Sequence, residues 1–420
     1  MVDVLLPITI IGVIIFIGFV GDLIFKKTDV PSIIWLLLFG LLLGPILKIV
    51  DASVFLNISE LFAAIAVIII LFEGGLNLDI YKLFREAPRG LMLTLLAFTF
   101  SALIVTVIMV ALGFNVLTGL LLGVIVGGTS SPIVIPIINK IPGVSNHVRT
   151  VLSIESALTD ALSILMAIVV METIISGIGL QAVGQILASG FSIGIVIGSL
   201  SGLFWIPISR RFREEEFSYL VTLGIIFLLY SFVESLGGSG AIACLSFGVV
   251  LGNGKKIFGM LKYQNMEFEL DKPARRYHAL IAFIIRTFFF VYLGILVSFI
   301  DFRSIIFGIL LAIALFSIRP LAIRAAMHKM KISDKERHLM MAMFPRGLAA
   351  AVLAYIPFTR GIHNTYFFAD VTFGIILTTV LISTLALFYI GRIHYDDDGN
   401  VQAGRLGKKS AHVKPKAAKK

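Results

Sequence analysis

Apolar runs of about 20 residues, the length a bilayer core demands, recur along the whole chain between short polar stretches. We read about 13 such spans, near 5–25, 31–50, 57–78, 90–113, 116–138, 148–172, 182–208, 217–233, 238–253, 279–300, 303–325, 337–357 and 366–391. The strand alternation of a membrane β-barrel is missing. The pattern predicts an all-α polytopic membrane protein. The first run has no basic residue before it and no small-residue cleavage site, so it reads as a retained span rather than a signal peptide.

The polar stretches differ in charge. Lys26 and Lys27 follow the first span, Lys82, Arg85 and Arg89 the third, Lys140 and Arg149 the fifth, and Arg210, Arg211 and Arg213 the seventh. Lys255, Lys256, Lys262, Lys272, Arg275 and Arg276 follow the ninth, and Arg324, Lys329, Lys331, Lys335 and Arg337 the eleventh. The intervening loops hold little beyond Lys48, Arg303 and Arg360. By the positive-inside rule the N-terminus is outside and the C-terminus cytoplasmic, in a multi-pass protein of the cell membrane. The basic connection Gly254 to His278 reads as an interfacial helix on the cytoplasmic face. Residues 1–392 form the membrane domain, and 393–420 a short basic cytoplasmic tail expected to be disordered.

Composition narrows the function. The chain is 58% hydrophobic and 14% charged, with a net charge of +10, and its mean hydropathy is +1.01. The positive charge is split among short loops, which argues against nucleic acid as a partner. No phosphate loop of the GxxxxGK[ST] type is present, so no nucleotide is expected. Neither CxxC nor HExxH spacing occurs, no cofactor is implied, and the lone Cys244 excludes an internal disulfide.

The informative positions are those that break the apolar pattern. Val151 to Met171 is long enough to cross a bilayer yet carries Glu155 and Asp160. A carboxylate at that depth costs roughly 2.5–3.5 kcal/mol on insertion scales. It persists where it meets water, an ion or an opposite charge. Without water, Asp160 keeps its charge beside a cation or loses it by taking a proton, and one site that holds either is sufficient for exchange. Ser156 and Asp160 share one helix face, and Glu155 and Thr159 the neighbouring one.

Two spans are interrupted. The fifth carries Gly127-Gly128-Thr129-Ser130-Ser131-Pro132, where Pro132 would free the carbonyl of Gly128, and the twelfth carries Pro345-Arg346-Gly347. A faint repeat accompanies them: LFEGGLNLDI at 71–80 resembles VYLGILVSFID at 291–301 in opposite membrane orientation. Paired interrupted spans in inverted repeats point to a transporter's binding site. Thr129, Ser156 and Thr159 are candidate neutral ligands, with packing or bonding to their own helix as the competing reading. Asp160 competes with a structural ion pair, and the breaks with simple kinks. Glu73 either lines the ion's approach, or coordinates it, or is an interface charge. Glu155 and Arg319 sit at comparable depth and read as a structural pair. Arg346 reads as compensating half-helix C-terminal dipoles and cavity carboxylates. Arg286 has no assigned partner, Asn77 and Asp79 lie near the aqueous edge, and His278, His328 and His338 read as solvated loop histidines.

ESALTD at 155–160, GGTSSP at 127–132, FFFVYLG at 288–294 and FPRG at 344–347 together resemble the monovalent cation:proton antiporters. The nearest branch is the NhaP-type prokaryotic one, related to eukaryotic sodium/hydrogen exchangers. The resemblance covers residues 1 to about 392. It implies a homodimer, interleaved core and dimerisation parts, crossed broken fifth and twelfth helices, and elevator-like alternating access. It implies a secondary transporter rather than an enzyme, exchanging sodium or lithium for protons one for one, with potassium/proton exchange as the alternative. By matched position Asp160 is the ion-binding aspartate, Thr129 and Ser156 its hydroxyl partners, Glu155–Arg319 the stabilising pair, and Glu73 a third-span acid found in some members. Thr159 stands where the sodium-specific branch usually carries Asn, and Ser130 where many relatives carry an acid. A gated channel and an intramembrane enzyme are the competing classes, and neither a selectivity filter nor a nucleophile–base pair can be assembled.

Overall fold

The computed structural model describes residues 2–28, 32–50, 59–78, 80–141, 143–177, 179–211, 218–260, 272–296, 302–328, 330 and 332–392. The tail 393–420, Asp79 and the end of the second repeat copy, 297–301, lie outside the described residues. Among those described there are sixteen α-helices, one π-helical turn and no strand. Six helices are long and apolar enough to cross a membrane by themselves, and shorter apolar helices lie between them. All-helical structure follows from the solvent: lipid offers backbone groups no partners, so each segment must bond to itself.

The chain begins with α1 (Val2–Thr28) and α2 (Ser32–Leu41), which runs into a π-helical turn over Leu42–Ile46 containing Pro45. Then come α3 (Ser59–Asn77), α4 (Ile80–Ala111), and the halves of the fifth span, α5 (Val116–Ile125) and α6 (Ser131–Lys140). Next are α7 (Asn146–Ser176), α8 (Leu180–Arg211), α9 (Ser218–Ser235), α10 (Gly240–Gly252) and the short α11 (Gly254–Met260). The last are α12 (Lys272–Leu296), α13 (Phe302–Ala326), the twelfth span as α14 (Asp334–Ala342) and α15 (Leu348–Thr359), and α16 (Phe368–Arg392). Side-chain caps mark several starts: Asn115 for α5, Ser145 for α7, Ser239 for α10, and a Ser333–Glu336 capping box for α14. The left-handed Gly177 ends α7.

Two helices begin earlier than the apolar pattern predicts. The fourth starts at Ile80 rather than near 90, through Pro88, and the tenth at Lys272 rather than near 279. The bilayer limits the apolar window, whereas the helix itself continues into polar surroundings. The interfacial helix expected over Gly254 to His278 is described only as α11 and the start of α12; residues 261–271 lie outside the described set.

The packing repeats. In the first half α4 packs on α5 and α7, and both halves of the broken span touch α7. In the second, α13 packs on α14 and α16, and α14 and α15 both touch α16. The two triads meet along α4 and α13. Around them α3, α8, α9 and α10 share one apolar cluster, while α1, α2 and α12 pack together. The two glycines that align in the faint repeat, Gly75 and Gly294, are both crossing points. A Cβ at Gly75 would lie 2.2 Å from the carbonyl of Leu245, and one at Gly294 2.4 Å from that of Leu37. In lipid, close packing of small residues replaces the hydrophobic drive between helices.

Candidate functional site

Asp160 sits mid-way along α7, only 7% exposed. Its partner comes from the broken span. Ser131 opens α6, and its hydroxyl donates to Asp160 Oδ2 at 2.8 Å, with its backbone N–H 3.3 Å from the same oxygen. The first N–H groups of a helix have no partner within the helix and carry its positive dipole end, so a half-helix start at membrane depth is suited to an anion. Pro132 follows in the first turn of α6, where no N–H is required. The break is therefore completed one turn earlier than the proline, over residues 126–130.

Thr159 holds that break in place. Its Oγ1 accepts from the backbone N–H of Thr129 at 3.0 Å and lies 3.2 Å from the Thr129 hydroxyl. Thr129 thus meets Thr159 rather than Asp160. Ser156, fully buried, donates to the carbonyl of Ser153 on its own helix at 3.3 Å. Ser163, one turn beyond, is buried without a hydrogen-bond partner, its Oγ 2.7 Å from where a Cβ on Gly128 would sit.

The two interrupted spans touch. The N–H of Ser130 donates to the carbonyl of Pro345 at 2.8 Å. Gly347 passes so close that a Cβ there would lie 2.1 Å from Ser130 Oγ. Beside this crossing, buried Arg346 donates Nη2 to Ser101 at 3.0 Å, and its backbone N–H donates to Thr379 at 3.0 Å.

Glu155 and Arg319 form a two-pronged ion pair at 2.7 and 3.1 Å, with side chains 1% and 4% exposed. Arg319 Nε also donates to the carbonyl of Met340 at 2.8 Å. That carbonyl belongs to the last turn of α14, whose final C=O groups lack helical partners. The half-helix end expected to draw on Arg346 is thus served by Arg319, because α13 runs directly alongside it.

Glu73 on α3 lies apart from this pair. Its Oε2 is 3.8 Å from Nη1 of Arg286, and the two side chains are 22% and 23% exposed. A cavity of about 60 Å³ is lined by Glu73, Gly74, Ser131, Pro132 and Arg286, so Glu73 shares it with the serine that holds Asp160. His278 departs from expectation. It is buried, with Nδ1 paired to the Tyr219 hydroxyl and its ring edge-on to Phe72 at 5.0 Å. His328 is exposed and His338 half-buried. The side chain of Asn77 lies outside the described residues.

Ser131 and Ser163 are the polar groups that sequence reasoning did not single out. Ser131 carried a signal, as the residue directly before a proline after a glycine-rich break, where a new helix begins. Ser163 carried only its helical offset from Thr159.

Comparison with known proteins agrees with this architecture. A family profile described as the sodium/hydrogen exchanger, transmembrane, matches residues 12–392. A K(+)/H(+) antiporter NhaP of Alkalimonas amylolytica is 25% identical over 405 residues, covering 92% of this chain and 66% of that protein. A probable Na(+)/H(+) antiporter 2 of Methanocaldococcus jannaschii is 26% identical over 392 residues, covering 83% of this chain and 86% of that one. The structure of the sodium proton antiporter MjNhaP1 from the same archaeon superposes with a TM-score of 0.74 at 24% identity, covering 91% of this chain and 96% of that chain. The fold is shared.

Proposed function

Because this chain belongs to the sodium/hydrogen exchanger transmembrane family, we propose that it is a secondary antiporter exchanging a monovalent cation for a proton at Asp160 by alternating access. The observation that carries this reading is the contact between the buried Asp160 carboxylate and the start of α6 at Ser131.

The carboxylate alternates between two neutral forms, one bearing a proton and the other a cation. Ser131 orients it in the cation-free state through the hydroxyl and the N–H. The same hydroxyl offers a lone pair to a bound cation, as do the Thr129 and Thr159 hydroxyls beside the break and Ser156 once it turns from its own helix. Glu155 takes no part in the exchange, since Arg319 already balances it. One carboxylate swapping one proton for one cation gives electroneutral one-for-one exchange. Arg346 balances charge around the crossing. Movement of the α5–α6 and α14–α15 crossing as a body, in a homodimer with its C-terminus in the cytoplasm, would expose Asp160 to each side in turn.

Sodium or lithium is the first choice of cation. Potassium is the second reading, favoured by the potassium/proton name of one relative and by Thr159 in place of Asn. The test is proton flux in proteoliposomes holding a pH gradient, read by an internal dye on addition of sodium, lithium or potassium chloride. Dissipation by sodium and lithium, lost in Asp160→Asn, is the expected result. A response to potassium alone would shift the cation, and full activity in Asp160→Asn would overturn the site.

A further inference from the structure

Among the described residues, Arg286 is the charged side chain common to two cavities beside the crossing. The first reaches Glu73 and Ser131. The second, about 120 Å³, is bordered by Asp22, Ser32, Thr287 and Arg286 together with an apolar wall. Both share Pro132 and Arg286, so Arg286 stands between them. Each has room for at least one water or ion. Asp22 and Ser32 thus lie on one side of Arg286, and Glu73 on the other with Ser131, which donates to Asp160.

The contact made by Arg286 is of a particular kind. It reaches Glu73 through one nitrogen at 3.8 Å with both side chains partly exposed. Arg319 reaches Glu155 through two, fully buried. A loose, part-solvated pair is worth little and exchanges readily, whereas a buried two-pronged pair does not. The Arg286 charge also sits on a flexible stem that borders the second cavity, where Asp22, Ser32 and Thr287 offer oxygen atoms.

We propose that Arg286 is a tethered competitor for the transported cation. Its guanidinium occupies the Glu73 carboxylate, which shares a cavity with Ser131, and an incoming cation must displace it before reaching Asp160. Arg286 thereby sets the concentration range over which the exchanger works. It is a positioning residue that acts through Glu73, and the inference rests on the antiport reading of Asp160.

The experiment measures cation binding and flux separately. Purified protein is melted at increasing sodium chloride, with choline chloride as the ionic-strength control, and half-saturation of the stabilisation is compared with that of proteoliposome flux. Arg286→Gln is expected to lower both half-saturation concentrations about fivefold, the scale of a part-exposed ion pair. Arg286→Lys keeps them near the starting value. Glu73→Gln raises them, and adding Arg286→Gln to Glu73→Gln changes nothing more. Should Arg286→Gln be too unstable to purify, Arg286→Met removes the same charge with an apolar chain of similar reach. Unchanged or raised half-saturation in the charge-removing variant, or an equal effect with and without Glu73, overturns the proposal. A lowered binding midpoint in a protein that shows no flux leaves the competitor standing and sinks the antiport reading.

Discussion

The two triads of spans, α4 to α7 and α13 to α16, share one plan and carry opposite chemistry. Each breaks its middle span, the first over residues 126–130 and the second over 343–347. The first break delivers hydroxyls and a half-helix start to the Asp160 carboxylate. The second delivers a carbonyl, a glycine and Arg346. The ion pair joins them, with Glu155 from the first half and Arg319 from the second. A membrane offers no counter-ions, so a half that displays carboxylates needs another that displays arginines at the same depth. The repeated packing supplies the scaffold, and the residues at each break divide the charges between the two halves.

The largest break in this division is Arg319→Ala. It leaves Glu155 buried without its partner and the Met340 carbonyl without a donor. A loss of about 3–5 kcal/mol in stability is expected, read by thermal unfolding in detergent. Replacing both partners, as Glu155→Gln with Arg319→Met, should recover much of it. An Arg319→Ala protein with unchanged melting but no flux would mean the pair belongs to transport instead.

Gly347→Ala tests the crossing itself. The added methyl meets the Ser130 side chain, and a forced fit of this kind costs about 1–3 kcal/mol. Combining it with Ser130→Gly removes the obstructing atoms, so stability should return. If the double variant melts no higher than Gly347→Ala alone, the close approach is not what the glycine serves.

Ser131→Ala sharpens the comparison on the side of the first half. It removes one hydrogen bond to a charged group, worth about 1.5 kcal/mol, and should weaken half-saturation by the driving cation about tenfold. The same measurement on Thr129→Ala should show a smaller change, because Thr129 meets Thr159. On cation affinity the smallest change is expected of Thr159→Val. It loosens the break by removing the oxygen that meets both the N–H and the hydroxyl of Thr129, about 1 kcal/mol for each contact, and should lower the melting temperature in cation-free buffer. A larger effect than that of Ser131→Ala on cation affinity would make Thr159 the principal ligand.

Much of the site was legible because membranes penalise what does not belong. Glu155, Asp160, Arg319 and Arg346 stand out in apolar runs, and the glycines and prolines mark both breaks. Helical spacing predicted the face shared by Ser156 and Asp160, yet Ser156 bonds to its own helix and Ser131 takes the carboxylate. The period of a helix places residues on a face, but a neighbouring segment supplies the partner. His278 was read as a loop residue because basic residues precede it, whereas α9 and α3 pack against it and bury it.

The sequence by itself determined the all-helical class, the charges that stand inside apolar runs and the two places where helices break, since these follow from local hydropathy and backbone chemistry. Tertiary structure decided which hydroxyl holds Asp160, which arginine serves the end of α14, and that Ser130 and Pro345 bond across the crossing. Those choices depend on distances between segments far apart in the chain, which no local pattern encodes.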